Sequence, residues 1–443
     1  MGFDRRMLAL FVLLAVIGLP AFTLRVMCIG HACDEPVQAS ADMPFCSLPP
    51  GVRSAIAAGF REGRSPAVLG VTSDVTVGGG DAFRRGDPQP QWPAVDPISR
   101  DVPLVFAGAG VPPGALPPET ELDDVAPTIA SLIRIERPHP EVRSGRHVHI
   151  PVEAPGPPPL VVQIVWKGIG STELEESPES WPELGSLAER GLSSLDAEVP
   201  SLPMDPATVL TTIGTGANPS QHGIVGTLLR NDEGRVVKAW SERAPVSVIA
   251  GLGDDLDELT GQRARIGLIA TDPADRGLIG KDWYVDTDTD DVVVAEGIRQ
   301  TIDSVTELLS SGYGRDDVPD LLGVTLSGSV DEMDRATGAI ATAVEDAVPG
   351  AALVVTATGS SVNSADLQGR EVARQVEAFL SLDRKVVQAT VPGGLFLDQE
   401  VVATEGVSED EVLDALKRVT DTASAKAFAD VFPAIAVSFG RYC

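Results

Sequence analysis

Histidine is scarce, with five residues in 443: His31, His139, His147, His149 and His222. A metal centre built on imidazoles needs several of them converging on one point. Three of the five sit in a proline-rich stretch and one lies near the N-terminus. Cations are short too. The 34 Lys and Arg face 64 Asp and Glu, a net charge of −30. That balance excludes sequence-independent binding of nucleic acid, which needs clustered basic residues. It also repels anionic ligands unless a metal or local positive charge compensates. Cysteine is limited to Cys28, Cys33, Cys46 and Cys443, with no two pairs at zinc-ligand spacing.

What is present is apolar. Hydrophobic residues make up 43% of the chain, enough for a sizeable core, and the length suits one large α/β domain or two domains. Met7–Leu24 is almost wholly apolar and follows Arg5 and Arg6, the pattern of a signal peptide or membrane anchor. Its length of about 18 residues lies on the boundary between the two. Ala39-Ser40-Ala41 has the composition of a cleavage site but lies too far downstream, and Arg25-Val26-Met27 before Cys28 is a poor acylation site. The expected layout is a signal peptide or anchor over 1–27, more readily an uncleaved anchor, then an extracytoplasmic linker over 28–45 and a folded domain over 46–443. The location implied is the cell envelope, with the membrane as a partner through the N-terminal segment. Cysteines suit that oxidising compartment. Several pairings are open; the one expected here joins Cys46 to Cys443 and closes Cys28–Cys33 as a local loop.

Leu160–Gly170 is the strongest local signal. It is a β-branched run bounded by prolines and glycines, the mark of a buried parallel strand. Lys167 stands at its carboxyl end, where ligands collect in open α/β sheets. Further strands are expected at Ala67–Thr72, Val102–Phe106, Val246–Ile249, Ile266–Ala270, Leu321–Leu326, Ala352–Thr356 and Lys385–Val391, with a short one at His147–Val152. Helices are expected at Gly51–Phe60, Val125–Ile133 (capped by Asp123-Asp124), Trp181–Glu189, Thr208–Gly214, Ala295–Ser310, Asp331–Glu345 and Glu371–Leu382. The alternation predicts a mostly parallel sheet covered by helices on both faces.

Three stretches then resemble a known family. Val165-Trp166-Lys167-Gly168-Ile169-Gly170 is similar to a first strand ending Asp-Gly. Thr215-Gly216, Pro219 and His222-Gly223-Ile224 match a Thr-Gly-x-x-Pro-x-x-His-Gly-Ile segment, and Leu353–Gly359 resembles a strand ending Ser-Asp-His-Gly. Together they resemble the alkaline phosphatase superfamily in its type I phosphodiesterase/nucleotide pyrophosphatase branch, over roughly Leu160 to Ser360. Gly63–Pro66, Val102–Val111 and Asp124–Ala130 look like that family's C-terminal segment, yet here they precede the catalytic strands. The resemblance thus implies a circular permutation, which nearby surface termini make inexpensive. A Cys46–Cys443 bridge would fit such a rearrangement.

The family uses two divalent metals, usually zinc, and a Thr or Ser nucleophile on phosphorus. At the matching positions this chain has Lys167 for the first Asp, and Ala357 and Thr358 for the Asp-His pair. Ser327-Gly328-Ser329-Val330 leads into Asp331 and Asp334 without a histidine, and none lies between Ser65 and Val102. His222 falls in a segment that is structural in the family. Counting back from Thr215-Gly216 places the nucleophile near Met204; the nearest hydroxyls, Ser201 and Thr208, are weak candidates that more simply make turn and helix hydrogen bonds. Lys167 either fills the vacated site, pairing with a carboxylate such as Asp205, or binds an anion with Asp205 and Thr358 nearby. Asp331 and Asp334 read as helix charges, and Asp286, Asp288, Asp290 and Asp291 as a solvated loop. The implied protein is a pseudoenzyme with a binding or envelope role toward a protein or a small anion, and no cofactor is expected. The alternative is an active phosphodiesterase or phosphatase with an atypical site, which would need zinc or another divalent metal.

Overall fold

The computed structural model describes residues 45–84, 87–152, 156–281, 283–284, 290–440 and 443. The apolar run Met7–Leu24, His31, Cys28 and Cys33, the linker up to residue 44, Asp286 and Asp288 lie outside the described residues.

Leu160–Trp166 is buried along its whole length at the middle of an eight-stranded sheet. It pairs in parallel with Asp320–Leu326 on one side and Ala352–Ala357 on the other. Outside Asp320–Leu326 come Ile266–Ala270 and Asp291–Val294, also parallel. Outside Ala352–Ala357, Asp101–Gly108 runs antiparallel, followed by Leu192–Glu198 and the short edge Gly114–Ala115. The inner strands are covered on both faces, which is why they read as unbroken apolar runs rather than alternations. On one face, the Trp166 indole donates to Thr337 of helix Val330–Ala347. On the other, helix Pro206–Thr215 packs with a 3-10 turn at Pro273–Leu278.

A second, four-stranded antiparallel sheet runs in the order Val387–Val391, Gly394–Leu397, Val68–Thr72, Phe428–Pro433. It has its own apolar cluster, including Val68, Trp92, Val376, Leu395 and Leu416. Lys385–Val391 was expected beside the parallel strands. The tight Pro392-Gly393 turn, with Gly393 at φ +85°, folds it back on Gly394–Leu397 instead. Two other expected strands do not form. At Val246–Ile249 the backbone bonds to Arg64 and to His222, and Val246 and Val248 are exposed. At His147–Val152 the Val148 amide donates to the Thr128 hydroxyl rather than to a neighbouring strand. Helix Val125–Leu132 is present, but Asp124 does not cap it; its carboxylate accepts the Glu121 and Arg146 amides.

Cys46 and Cys443 are bonded, with Cα atoms 5.3 Å apart, so the two ends of the described chain are joined. Among the described residues no helix is long and apolar enough to cross a membrane.

Candidate functional site

A cleft of about 600 Å³ opens at the carboxyl ends of the parallel strands. Its floor includes Lys167, Thr358 and Asp275, its wall Met204 and Thr227, and its lip Arg84 and Asp87. Lys167 enters because the strand stops at Trp166 and Gly168 turns with φ +76°.

The Lys167 ammonium donates to Asp275 Oδ1 at 2.8 Å and to Thr271 Oγ1 at 3.1 Å. Its side chain is only 16% exposed and that of Asp275 only 1%. The other Asp275 oxygen accepts the Thr325 hydroxyl at 2.8 Å and the Asp272 amide at 3.0 Å. The Thr271 amide and hydroxyl also donate to it, at 3.2 and 3.1 Å. An ion pair this enclosed is stable because hydrogen bonds satisfy what remains of both groups. The carboxylate that pairs with Lys167 is therefore Asp275, not Asp205.

Asp205 does not line the cleft and is 1% exposed. Its Oδ1 caps helix Pro206–Thr215 through the Ala207 amide and accepts the Thr227 hydroxyl at 2.7 Å. Its Oδ2 has no partner among the described residues. Burial raises its pKa, against the pull of those hydrogen bonds and of Lys167. Thr358 accepts the Gly168 amide at 2.9 Å, tying the strand after Trp166 to its neighbour.

The two hydroxyl candidates do not reach the cleft lining, whereas Met204 does. Ser201 and Thr208 are buried, and neither hydroxyl has a partner among the described residues, where the expected turn and helix hydrogen bonds are not made. Farther along the helix Thr211 and Thr215 do bond back to Ala207 and Thr211. His222 is fully buried, with Nε2 against the Thr212 hydroxyl and Nδ1 accepting the Ile224 amide. Burial, and then the Arg64 and Arg61 charges, lower its pKa to about 3, so it is neutral and structural. Asp331 pairs with Arg335, while Asp334 turns inward and accepts the Glu183 and Leu184 amides at the start of helix Pro182–Arg190. Asp290 pairs with Arg276, and Asp291 accepts the Tyr313 hydroxyl.

Asp275 was missed from sequence. Its signal was Thr271-Asp272-Pro273-Ala274-Asp275 directly after a strand, a reciprocal cap in which Asp272 accepts the Ala274 amide and Asp275 the Asp272 amide.

Residues 161–348 match the family model for type I phosphodiesterase / nucleotide pyrophosphatase. The matched segment, less than half of the chain, is similar to this branch of the alkaline phosphatase superfamily. Crystal structures of alkaline phosphatase PafA are similar at low identity. The wild-type enzyme is 15% identical, with 62% of this chain and 84% of that one covered and a TM-score of 0.43. A multiply substituted variant is 16% identical, with 62% and 85% covered and a TM-score of 0.45. No curated protein sequence matches the chain. The superfamily is normally metal-dependent. Among the described residues, no three or more His, Cys, Asp or Glu side chains are grouped to hold a metal ion. The donor set at the strand ends is an ammonium already bound to a carboxylate, ringed by hydroxyls. It does not fit a two-metal centre, where anionic and imidazole donors must point at the ion.

Proposed function

We propose that this alkaline phosphatase-like domain is a non-catalytic binding domain held at the outer side of a membrane. One observation carries the loss of hydrolysis. Lys167, at the carboxyl end of the central strand, forms an ion pair with Asp275 in the position where family resemblance implies a metal-binding carboxylate. A fixed ammonium there repels a divalent cation, and the carboxylate beside it is occupied. Met204, not a hydroxyl, lines the cleft where counting places the nucleophile. Retention of an open cleft at the strand ends supports a binding role.

The basic flank and apolar run of Met7–Leu24 support tethering. The Cys46–Cys443 bond supports both an oxidising location and a permuted chain order, because it brings the ends within 5.3 Å of each other.

The test is metal content by mass spectrometry on the full-length chain, purified in detergent without chelator, alongside turnover of a chromogenic phosphodiester with added zinc or manganese. The expected result is metal far below one ion per chain and no turnover above the uncatalysed rate. Near-stoichiometric metal together with turnover would restore the hydrolase reading.

A further inference from the structure

Helix Ala434–Phe439 is apolar at every position except Ser438, yet Val437 is its one buried residue. Ile435 is 50% exposed, and Phe439, one turn on, is 48% exposed. A helix that is apolar on all sides is ordinarily enclosed. This one packs inward on helix Pro50–Gly59 and strand Phe428–Pro433. Ile435 and Phe439, four residues apart, share its outer face. Ile435 also lines a groove of about 500 Å³ with Phe60, Pro66 and Ala434. Glu62, Glu409 and Arg230 line the same groove, so charges of both signs meet there. The apolar side chains, not a field of one sign, define this surface.

The chain outside the described residues argues for what this face meets. It enters the domain at Phe45, whose ring packs on Phe432 with centroids 5.1 Å apart. The same ring lies against Gly440, which ends the helix. The Cys46–Cys443 bond fastens that corner. Residues 25–44 are the whole connection from there to the apolar run Met7–Leu24, and a stretch of that length reaches at most about 70 Å. With the apolar run in a bilayer, this corner is the part of the domain held closest to the lipid. The helix has six residues and is about 9 Å long, so it can lie in the membrane interface but not cross it.

We propose that the face bearing Ile435 and Phe439 rests on the outer surface of the membrane, with both side chains at the boundary between headgroups and acyl chains. This rests on the membrane-tethered reading given above. It fixes one orientation of the domain toward the lipid, in place of free rotation about its connection.

The experiment uses the full-length chain reconstituted in vesicles of phosphatidylcholine and phosphatidylglycerol. A bimane label is placed at Ser438→Cys and, separately, at Thr342→Cys. Thr342 is an exposed position of helix Val330–Ala347, which packs on the eight-stranded sheet rather than at this corner. The chain with neither substitution, treated alike, is the blank. Emission is read with and without lipids that carry a spin label on the acyl chain. The proposal expects the label at Ser438→Cys to shift to the blue and to be quenched, and the label at Thr342→Cys to do neither. Adding Ile435→Ser and Phe439→Ser should abolish both changes, while near-ultraviolet circular dichroism stays that of the unsubstituted chain. A blue shift without quenching would put protein over this face, either residues 25–44 or a second copy, and would overturn the proposal. So would equal emission at the two positions, or quenching that survives the double substitution. In each of those results the chain still floats with the vesicles, and the tethered reading stands. A chain that an alkaline wash strips from the vesicles sinks that reading and this proposal with it.

Discussion

Two of the enclosed cation–carboxylate arrangements among the described residues are built to different ends. Arg137 and Arg143 both meet Asp255, at 2.7 and 3.1 Å, with side chains 5% exposed. Their remaining donors reach backbone carbonyls, Arg137 to Thr215 and Ala250 and Arg143 to Thr215 and Pro138. The Tyr284 hydroxyl completes Asp255. These guanidinium forks stitch the proline-rich connection to helices Pro206–Thr215 and Leu252–Thr260 and leave no open side. Lys167–Asp275 is also satisfied, but one flank of it faces a cleft. The first arrangement is frame; the second is the floor of a site. The difference lies in what surrounds the pair, not in the pair itself.

The sharpest way to break this comparison is to remove one cation from each. Arg137→Ala removes one of the two guanidinium donors that the Thr215 and Ala250 carbonyls and Asp255 share inside the protein, and should cost about 3 kcal/mol in urea unfolding. Lys167→Met removes one donor from an Asp275 that keeps several hydroxyl and amide donors, and opens onto water. Its cost should be about 1–2 kcal/mol. Equal costs would mean that both pairs are frame.

His222 offers a pH-dependent version. Its folded pKa of about 3 lies below the usual histidine value of 6.5, so the unfolded chain binds a proton that the folded chain refuses between those values. Its contribution is therefore fully present above pH 6.5 and lost as pH falls toward 3, by roughly 5 kcal/mol in all. The slope of stability against pH in that window should flatten in His222→Gln. An unchanged slope would show that another group carries it. Glu121 and Asp254 act oppositely. Burial, the largest cause in each, raises both to about 7, so their contribution is present at low pH and lost as pH rises toward 7. The His222 variant should then show a net fall in stability from pH 4 to 7.

How far the sequence could be read follows the same physics. Leu160–Trp166 was legible because burial on both faces imposes an apolar run that needs no partner to recognise. Lys167 was legible because the run ends in one polar residue and a glycine. Its partner was not, since Asp275 is 108 positions away and arrives through a 3-10 turn. Ser201 and Thr208 were misassigned for a related reason. Local hydrogen bonds are the default for hydroxyls near turns and helices, and only packing shows that neither is made. The antiparallel sheet escaped because Gly394–Leu397 is four residues long and Phe428–Pro433 ends on a proline, both weak strand signals.

The smallest expected effect is the most diagnostic for the site. If Lys167–Asp275 replaces a metal centre, divalent cations have no stabilising partner in the folded state, and ligand linkage contributes nothing. Thermal unfolding of the chain with EDTA and with excess zinc should then coincide. Lys167→Asp changes the balance. It sets a second carboxylate beside Asp275. Two or three oxygens there fall short of a full zinc set, so the expected gain is a small zinc-dependent rise in melting temperature in the variant only. A zinc-dependent rise in the unsubstituted chain would place metal donors somewhere in it and collapse the contrast between the lysine floor and the arginine frame.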